Sequence, residues 1–133
     1  MTAIKANSLR PIYWRDGAVA LLDQTRLPQE EVWLEFGDYR DVIEAIQEMR
    51  IRGAPAIGVA GAYAVALAAL EVSESPHDDF IVELDAAAKD IEYARPTGAN
   101  LAWAVRRMMA VARNGSRPHS VVDDLIAEAV RIQ

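Results

Sequence analysis

Hydrophobic and polar positions alternate at the start of the chain and change period near its thirty-ninth residue. In Pro11 to Gln24, "PIYWRDGAVALLDQ", two short apolar-rich runs flank Asp16-Gly17. Both turn residues tolerate positive φ, which predicts a tight β-hairpin. The segment "EEVWLEF", Glu30 to Phe36, then places Val32, Leu34 and Phe36 on one face and Glu31, Trp33 and Glu35 on the other. That period of two predicts a third strand, so residues 1–37 should form a small antiparallel sheet of about three strands.

From Tyr39 the spacing becomes helical: Val42, Ile43, Ile46 and Met49 recur every three or four positions, with Asp38 or Asp41 as cap and Arg50 and Arg52 at the cationic end. Gly53 is expected to break this helix, and Pro55 to sit in the first turn of the next, where its missing N–H is no loss. That helix reads "APAIGVAGAYAVALAALEVS", with Gly58 and Ala62, or Gly61 and Ala64, letting another backbone come close. A polar loop, "ESPHDD", leads to a helix over about Asp78 to Tyr93, with Ile81, Leu84, Ala88 and Ile91 as its buried stripe. Arg95-Pro96-Thr97-Gly98 interrupts, because proline disfavours helix at the residue before it. A helix from near Thr97 should run to a stop at Gly115, and another from Pro118 or Ser120 to Gln133. The fold class is therefore α+β: one domain, 1–133, with the sheet in 1–37 and about five helices in 38–133. The amphipathic pattern is still running at Gln133, which reads as a fragment of something longer.

Composition narrows the function. A chain of 133 residues suits one domain, and 52% hydrophobic with 26% charged residues is ordinary globular usage. A net charge of −6 repels phosphodiester backbones, so nucleic acid is not an expected partner. Cysteine is absent, which excludes disulfides, thiolate nucleophiles and cysteine-held metals within the chain. The first residues lack the apolar core of a signal peptide, and the run Ala56 to Leu70 falls short of a membrane span. The expectation is a cytoplasmic protein with no membrane partner, in which that run is a buried core helix.

The candidate chemistry lies at two matching junctions. Arg52-Gly53-Ala54-Pro55 and Arg95-Pro96-Thr97-Gly98 each put an arginine just before a helix start, where backbone N–H groups lack partners and the helix dipole is positive. Such an end attracts anions; an arginine adds donors matched to phosphate oxygens, and Gly53 and Ala54 keep bulk away. Two such arginines grip one phosphate only if the helix starts converge. Read singly, Arg52 pairs one of the many acids and Gly53 merely stops a helix. Asn100, one turn into the later helix, either reaches a ligand hydroxyl or bonds locally. Trp14, Trp33 and Trp103 read as core before pocket, and His77 and His119 as capping or solvent-facing before catalytic. Asp85, Asp90, Asp123 and Asp124 read as solvated helix faces. No metal-ligand spacing, P-loop, G-x-S-x-G or G-x-G-x-x-G is present. The residues offer an anion-binding corner and no catalytic pair.

The segments "YWRDGAVALLDQTRLP", "IRGAPAIGVAGAYAVALAA" and "ARPTGANLAWAV" closely resemble the N-terminal domain of the methylthioribose-1-phosphate isomerase family, related to the regulatory subunits of the translation-initiation guanine-nucleotide exchange factor. The resemblance covers essentially all 133 residues. It implies an aldose–ketose isomerase of methionine salvage, converting 5-methylthioribose 1-phosphate to 5-methylthioribulose 1-phosphate as a cytoplasmic homodimer without metal or organic cofactor. The family's catalytic cysteine and aspartate belong to a larger Rossmann-like C-terminal domain, so neither is carried over to this chain. By the same resemblance Arg52, Gly53 and Ala54 match the substrate-binding Arg-Gly-Ala, Arg95 matches the second substrate-binding arginine, and Asn100 is a secondary candidate. Gly98-Ala99 departs from the bulkier pair the family tends to carry, which would loosen that helix start. Two alternatives stay open: a non-catalytic regulatory or scaffold relative, and an isomerase of another pentose phosphate such as ribose 1,5-bisphosphate.

Overall fold

Asp16 and Gly17 take φ of 49° and 79°. Positive φ at both central residues is the geometry whose twist matches the flanking strands, and it joins β1 (Ile12–Arg15) to β2 (Ala18–Leu22). The computed structural model describes residues 11–51, 53–74, 79–95, 98–115 and 118–133. Arg52, His77, Pro96 and Thr97 lie outside the described residues, as do the side chains of Ala54 and His119. β2 is the central strand, antiparallel to β1 and to β3 (Trp33–Phe36), with Trp14 opposite Val19 and Phe36 opposite Val19 on the other side. The third strand is shorter than its alternation suggests. It begins at Trp33, and the same register continues one step outward in the bond from the amide of Asp23 to the carbonyl of Val32.

Five helices follow among the described residues: α1 (Tyr39–Gln47), α2 (Ala54–Ser73), α3 (Phe80–Glu92), α4 (Ala99–Asn114) and α5 (Pro118–Ile132). The α+β architecture read from the sequence is the one observed. Asp38 is the cap of α1, its carboxylate accepting from the amide of Arg40 at 2.9 Å. α2 is apolar on every side and forms the axis of the domain, packing against α1, α3, α4, α5 and β1. Its alanines at 60, 62, 64, 66, 68 and 69 are fully buried, and such small residues let the surrounding helices approach closely. The 19-residue stretch Pro55–Ser73 contains an 18-residue window of mean hydropathy 1.7 and is long and apolar enough to cross a membrane, contrary to the sequence estimate. The apolar run extends past Leu70 to Ser73, but 72% of it is buried inside the domain, so its hydrophobicity is used in the core.

Two further expectations are corrected. Gly53 does not end α1. The helix stops at Gln47, where the amide of Arg50 bonds the carbonyl of Ala45 at 2.9 Å and that of Met49 bonds Ile46 at 3.2 Å. This paired closure requires a left-handed residue, and Met49 supplies it at φ 60°. Met49 is consequently 47% exposed rather than part of the buried stripe. Because glycine adopts this conformation without the side-chain penalty, Met49→Gly is expected to raise the unfolding free energy by about 1 kcal/mol, read by denaturant unfolding. A loss of stability would show that the exposed thioether contributes packing instead. The second correction concerns α4, which starts at Ala99, behind Gly98, rather than near Thr97.

Candidate anion-binding site

Gly53 and Gly98 stand at the cap positions of α2 and α4, and no side chain caps either helix. The first intrahelical bonds run from Ile57 N to Gly53 O at 2.9 Å and from Ala102 N to Gly98 O at 3.1 Å. Among the described residues no side chain accepts from the amides of these first turns, the condition that suits a helix start to an anion. Gly53 has φ 92° and ψ 130°, and a Cβ there would meet open space. Glycine is required at that position by backbone conformation, not by crowding, and the approach to its main chain is clear.

The two starts meet. A Cβ on Gly58 would lie 3.2 Å from the carbonyl oxygen of Asn100 and 3.7 Å from Asn100 Cβ. One turn further on, a Cβ on Gly61 would overlap Leu101 Cδ1. The glycines of α2 therefore bring its first turns against those of α4. Beside this contact lies a cleft of about 510 Å³, walled by Pro55, Ala56 and Val59 of α2, Asn100 and Trp103 of α4, and Gln133. Gln133 is held in that wall by two bonds: it accepts from Tyr63 Oη at 2.8 Å and donates to the carbonyl of Ile12 at 2.6 Å. Among the described residues lining the cleft none is charged.

Arg95 is half-buried and precedes α4, its carbonyl accepting from the amide of Gly98 at 2.8 Å. Seven other arginines reach a carboxylate: Arg26, Arg40, Arg50, Arg106, Arg107, Arg113 and Arg131. Among the described residues Arg95 has no such partner, a condition it shares with the exposed Arg15. It is not itself a wall of the cleft. The structure thus brings together the first turn of α2, at Gly58, and Asn100, and ties Arg95 to the α4 start through its main chain. Trp103 corrects the reading of the tryptophans as core: it is 53% exposed and borders the cleft, whereas Trp14 packs on Tyr63 of α2 with ring centroids 6.2 Å apart. Arg106 and Arg107, further along α4, line a second groove but are engaged with Glu92 and Glu128. Asp85 also departs from a merely solvated face, pairing with Lys89 at 3.4 Å and Arg113 at 2.9 Å.

One group escaped the sequence reading. Asp23, 1% exposed, accepts from the amide of Thr25 at 2.9 Å and from Arg50 Nη1 at 2.9 Å. Burial by itself raises its carboxyl, but the Thr25 bonds and Arg50 outweigh it and hold the group below its ordinary range. Glu128 is likewise lowered, by bonds from Arg131 and Arg107. A carboxyl lowered in the fold contributes fully above its unfolded value of about 4 and loses that contribution as pH falls through the lower folded value. Asp23→Asn is therefore expected to cost about 2 kcal/mol above pH 5, with the difference from the parent chain shrinking below pH 4. Unfolding curves across that range test it, and a difference independent of pH would refute the ionised pair.

Two helix starts drawn together by the glycines of a buried axis helix, in an α+β domain, make up the candidate site. The chain belongs to the Initiation factor 2 subunit family, whose model matches residues 50–133. Over 128 residues it is 50% identical to methylthioribose-1-phosphate isomerase of Geobacter metallireducens and 47% identical to that of Geotalea uraniireducens, covering 95% of this chain and 37% of each relative. The chain thus spans little more than a third of the curated relatives it matches. Among solved structures, 5-methylthioribose 1-phosphate isomerase from Pyrococcus horikoshii OT3 superposes with TM-score 0.85 at 30% identity, over 92% of this chain and 35% of that one. Translation initiation factor eIF-2B subunit delta from A. fulgidus gives 0.84 at 34% identity, over 92% and 36%.

Proposed function

We propose that this chain is the substrate-gripping N-terminal domain of an aldose–ketose isomerase that converts 5-methylthioribose 1-phosphate to 5-methylthioribulose 1-phosphate in methionine salvage. The observation that carries the reading is the meeting of the first turns of α2 and α4, one entered through Arg-Gly-Ala and the other preceded by an arginine that has no carboxylate partner among the described residues. In this reading Arg52, the Gly53-Ala54 main chain and Arg95 hold the C1 phosphate, and Asn100 faces the sugar. The reaction opens the ring, moves a proton from C2 to C1 and leaves the phosphate ester in place, so no net oxidant or reductant is needed. With no cysteine in this chain, the family's acid–base pair is supplied by sequence beyond it, and residues 1–133 contribute binding and one wall that excludes water. The working form is a cytoplasmic homodimer that uses no metal or organic cofactor.

The cleft beside the helix starts, uncharged among its described lining residues, favours an apolar 5-substituent over the second phosphate of ribose 1,5-bisphosphate, since none of those residues supplies a cation to a desolvated dianion. The likeness to eIF-2B subunit delta supports a second reading, a regulatory or scaffold subunit that uses this fold for contacts between chains. The full-length gene product, supplied with 5-methylthioribose 1-phosphate, is expected to form the ketose phosphate. No turnover, together with no cysteine and aspartate in the sequence beyond Gln133, would favour the scaffold reading.

A further inference from the structure

We propose that Asp23, acting through Arg50, positions the Gly53 entry to α2 for the substrate phosphate; the inference rests on the binding role just assigned to that helix start. Among the described residues no side chain caps α2, and a Cβ on Gly53 would meet none of their atoms within 4 Å. The hold comes from upstream. Arg50 is secured at four points: its amide bonds Ala45 O at 2.9 Å, its carbonyl accepts from the amide of Gln24 at 2.7 Å, and its guanidinium reaches buried Asp23 at 2.9 Å and exposed Glu48 at 2.8 Å. The next side chain, Ile51, is fully buried. The backbone thus leaves a rigid anchor two residues before Arg52 and three before Gly53. On the other side Asp23 is fixed by β3, through its amide to Val32 O at 2.8 Å, and by Thr25. The sheet therefore sets where the loop emerges, and the helix bundle sets where α4 meets it.

A buried carboxylate is a poor choice for stability alone, because well-packed apolar groups of similar volume often do as well. Its directional bonds to a single arginine suit a positioning role. The full-length gene product is assayed with 5-methylthioribose 1-phosphate, comparing Asp23→Asn, Arg50→Gln and, as a control on the site itself, Arg95→Ala. Asp23→Asn and Arg50→Gln are expected to raise KM about tenfold at 25 °C, well below the melting transition, with kcat within twofold of the parent, and to shift the amide resonance of Gly53. Asp23→Glu is expected to recover part of the affinity. A lowered Tm with unchanged KM means a structural role only and overturns the inference. If Asp23→Asn does not fold, Arg50→Gln, at a half-exposed position, decides the matter alone. An unchanged KM in Arg95→Ala, or no turnover by the parent, overturns the binding role and this inference with it; a raised KM in Arg95→Ala beside unchanged values at 23 and 50 overturns the positioning alone.

Discussion

Gly58→Val is expected to lower the unfolding free energy by about 2–3 kcal/mol, the cost of overpacking a contact that cannot yield. The neighbour a Cβ would meet at 3.2 Å is the main-chain oxygen of Asn100, which cannot rotate away as a side chain can. Valine adds two methyl groups beyond that point, so α4 must move off α2. For a domain of this size the change corresponds to a fall in Tm of roughly 6–12 °C. Gly58→Ala separates the two effects inherent in the position. Its single carbon makes a tight contact, while alanine gains about 1 kcal/mol of helix propensity over glycine, so the net change is expected near zero. Thermal unfolding of both variants is the measurement, and a valine variant melting within 2 °C of the parent would mean that the helix starts are not in contact. Gly61 and Leu101 provide an independent check. Leu101 is fully buried, and its Cδ1 occupies the place of a Gly61 Cβ, so Gly61→Ala and Leu101→Ala are expected to be strongly non-additive in a double-mutant cycle.

For Arg95→Ala the expected loss is in binding and not in stability. Where nearby arginines tie helices to carboxylates, Arg95 has no acid among the described residues, so its removal breaks no ion pair. A charge-assisted contact to phosphate contributes about 1.5–3 kcal/mol, hence roughly a ten- to hundredfold weaker affinity for the sugar phosphate in the full-length product. Tm should stay within about 2 °C of the parent. Lysine at this position should restore the charge but only part of the affinity, because it lacks the planar fork of donors. A threefold change or less in KM would remove Arg95 from the site.

The failures of the sequence reading have a common physical origin. The end of α1 was assigned to Gly53 because glycine is the usual left-handed residue, yet Met49 takes that conformation and the paired closing bonds form around it. Tertiary anchoring of Arg50 to Gln24 and Asp23 holds the turn where local preference would not. Trp103 has the size and apolarity of a core residue, and only the packing of α4 on α2 turns it toward the cleft. Nothing local marks Asp23, because its partner Arg50 lies 27 residues away.

What the sequence determined by itself is the local order of the molecule. The positive-φ pair Asp16-Gly17 makes the hairpin, Asp38 opens α1, the period of 3.6 marks the helices, and an apolar surface on every side commits α2 to the core. Each of these depends on interactions within a few residues or on hydrophobicity summed over one segment, which a chain carries wherever it folds. The candidate site is different. The first turns of α2 and α4 meet only because Gly58 and Gly61 admit α4 against α2, and Arg50, three residues ahead of Gly53, is held by a buried carboxylate on the sheet side. Those relations join residues far apart in the chain, and it was the packing of α2 against its neighbours that decided them.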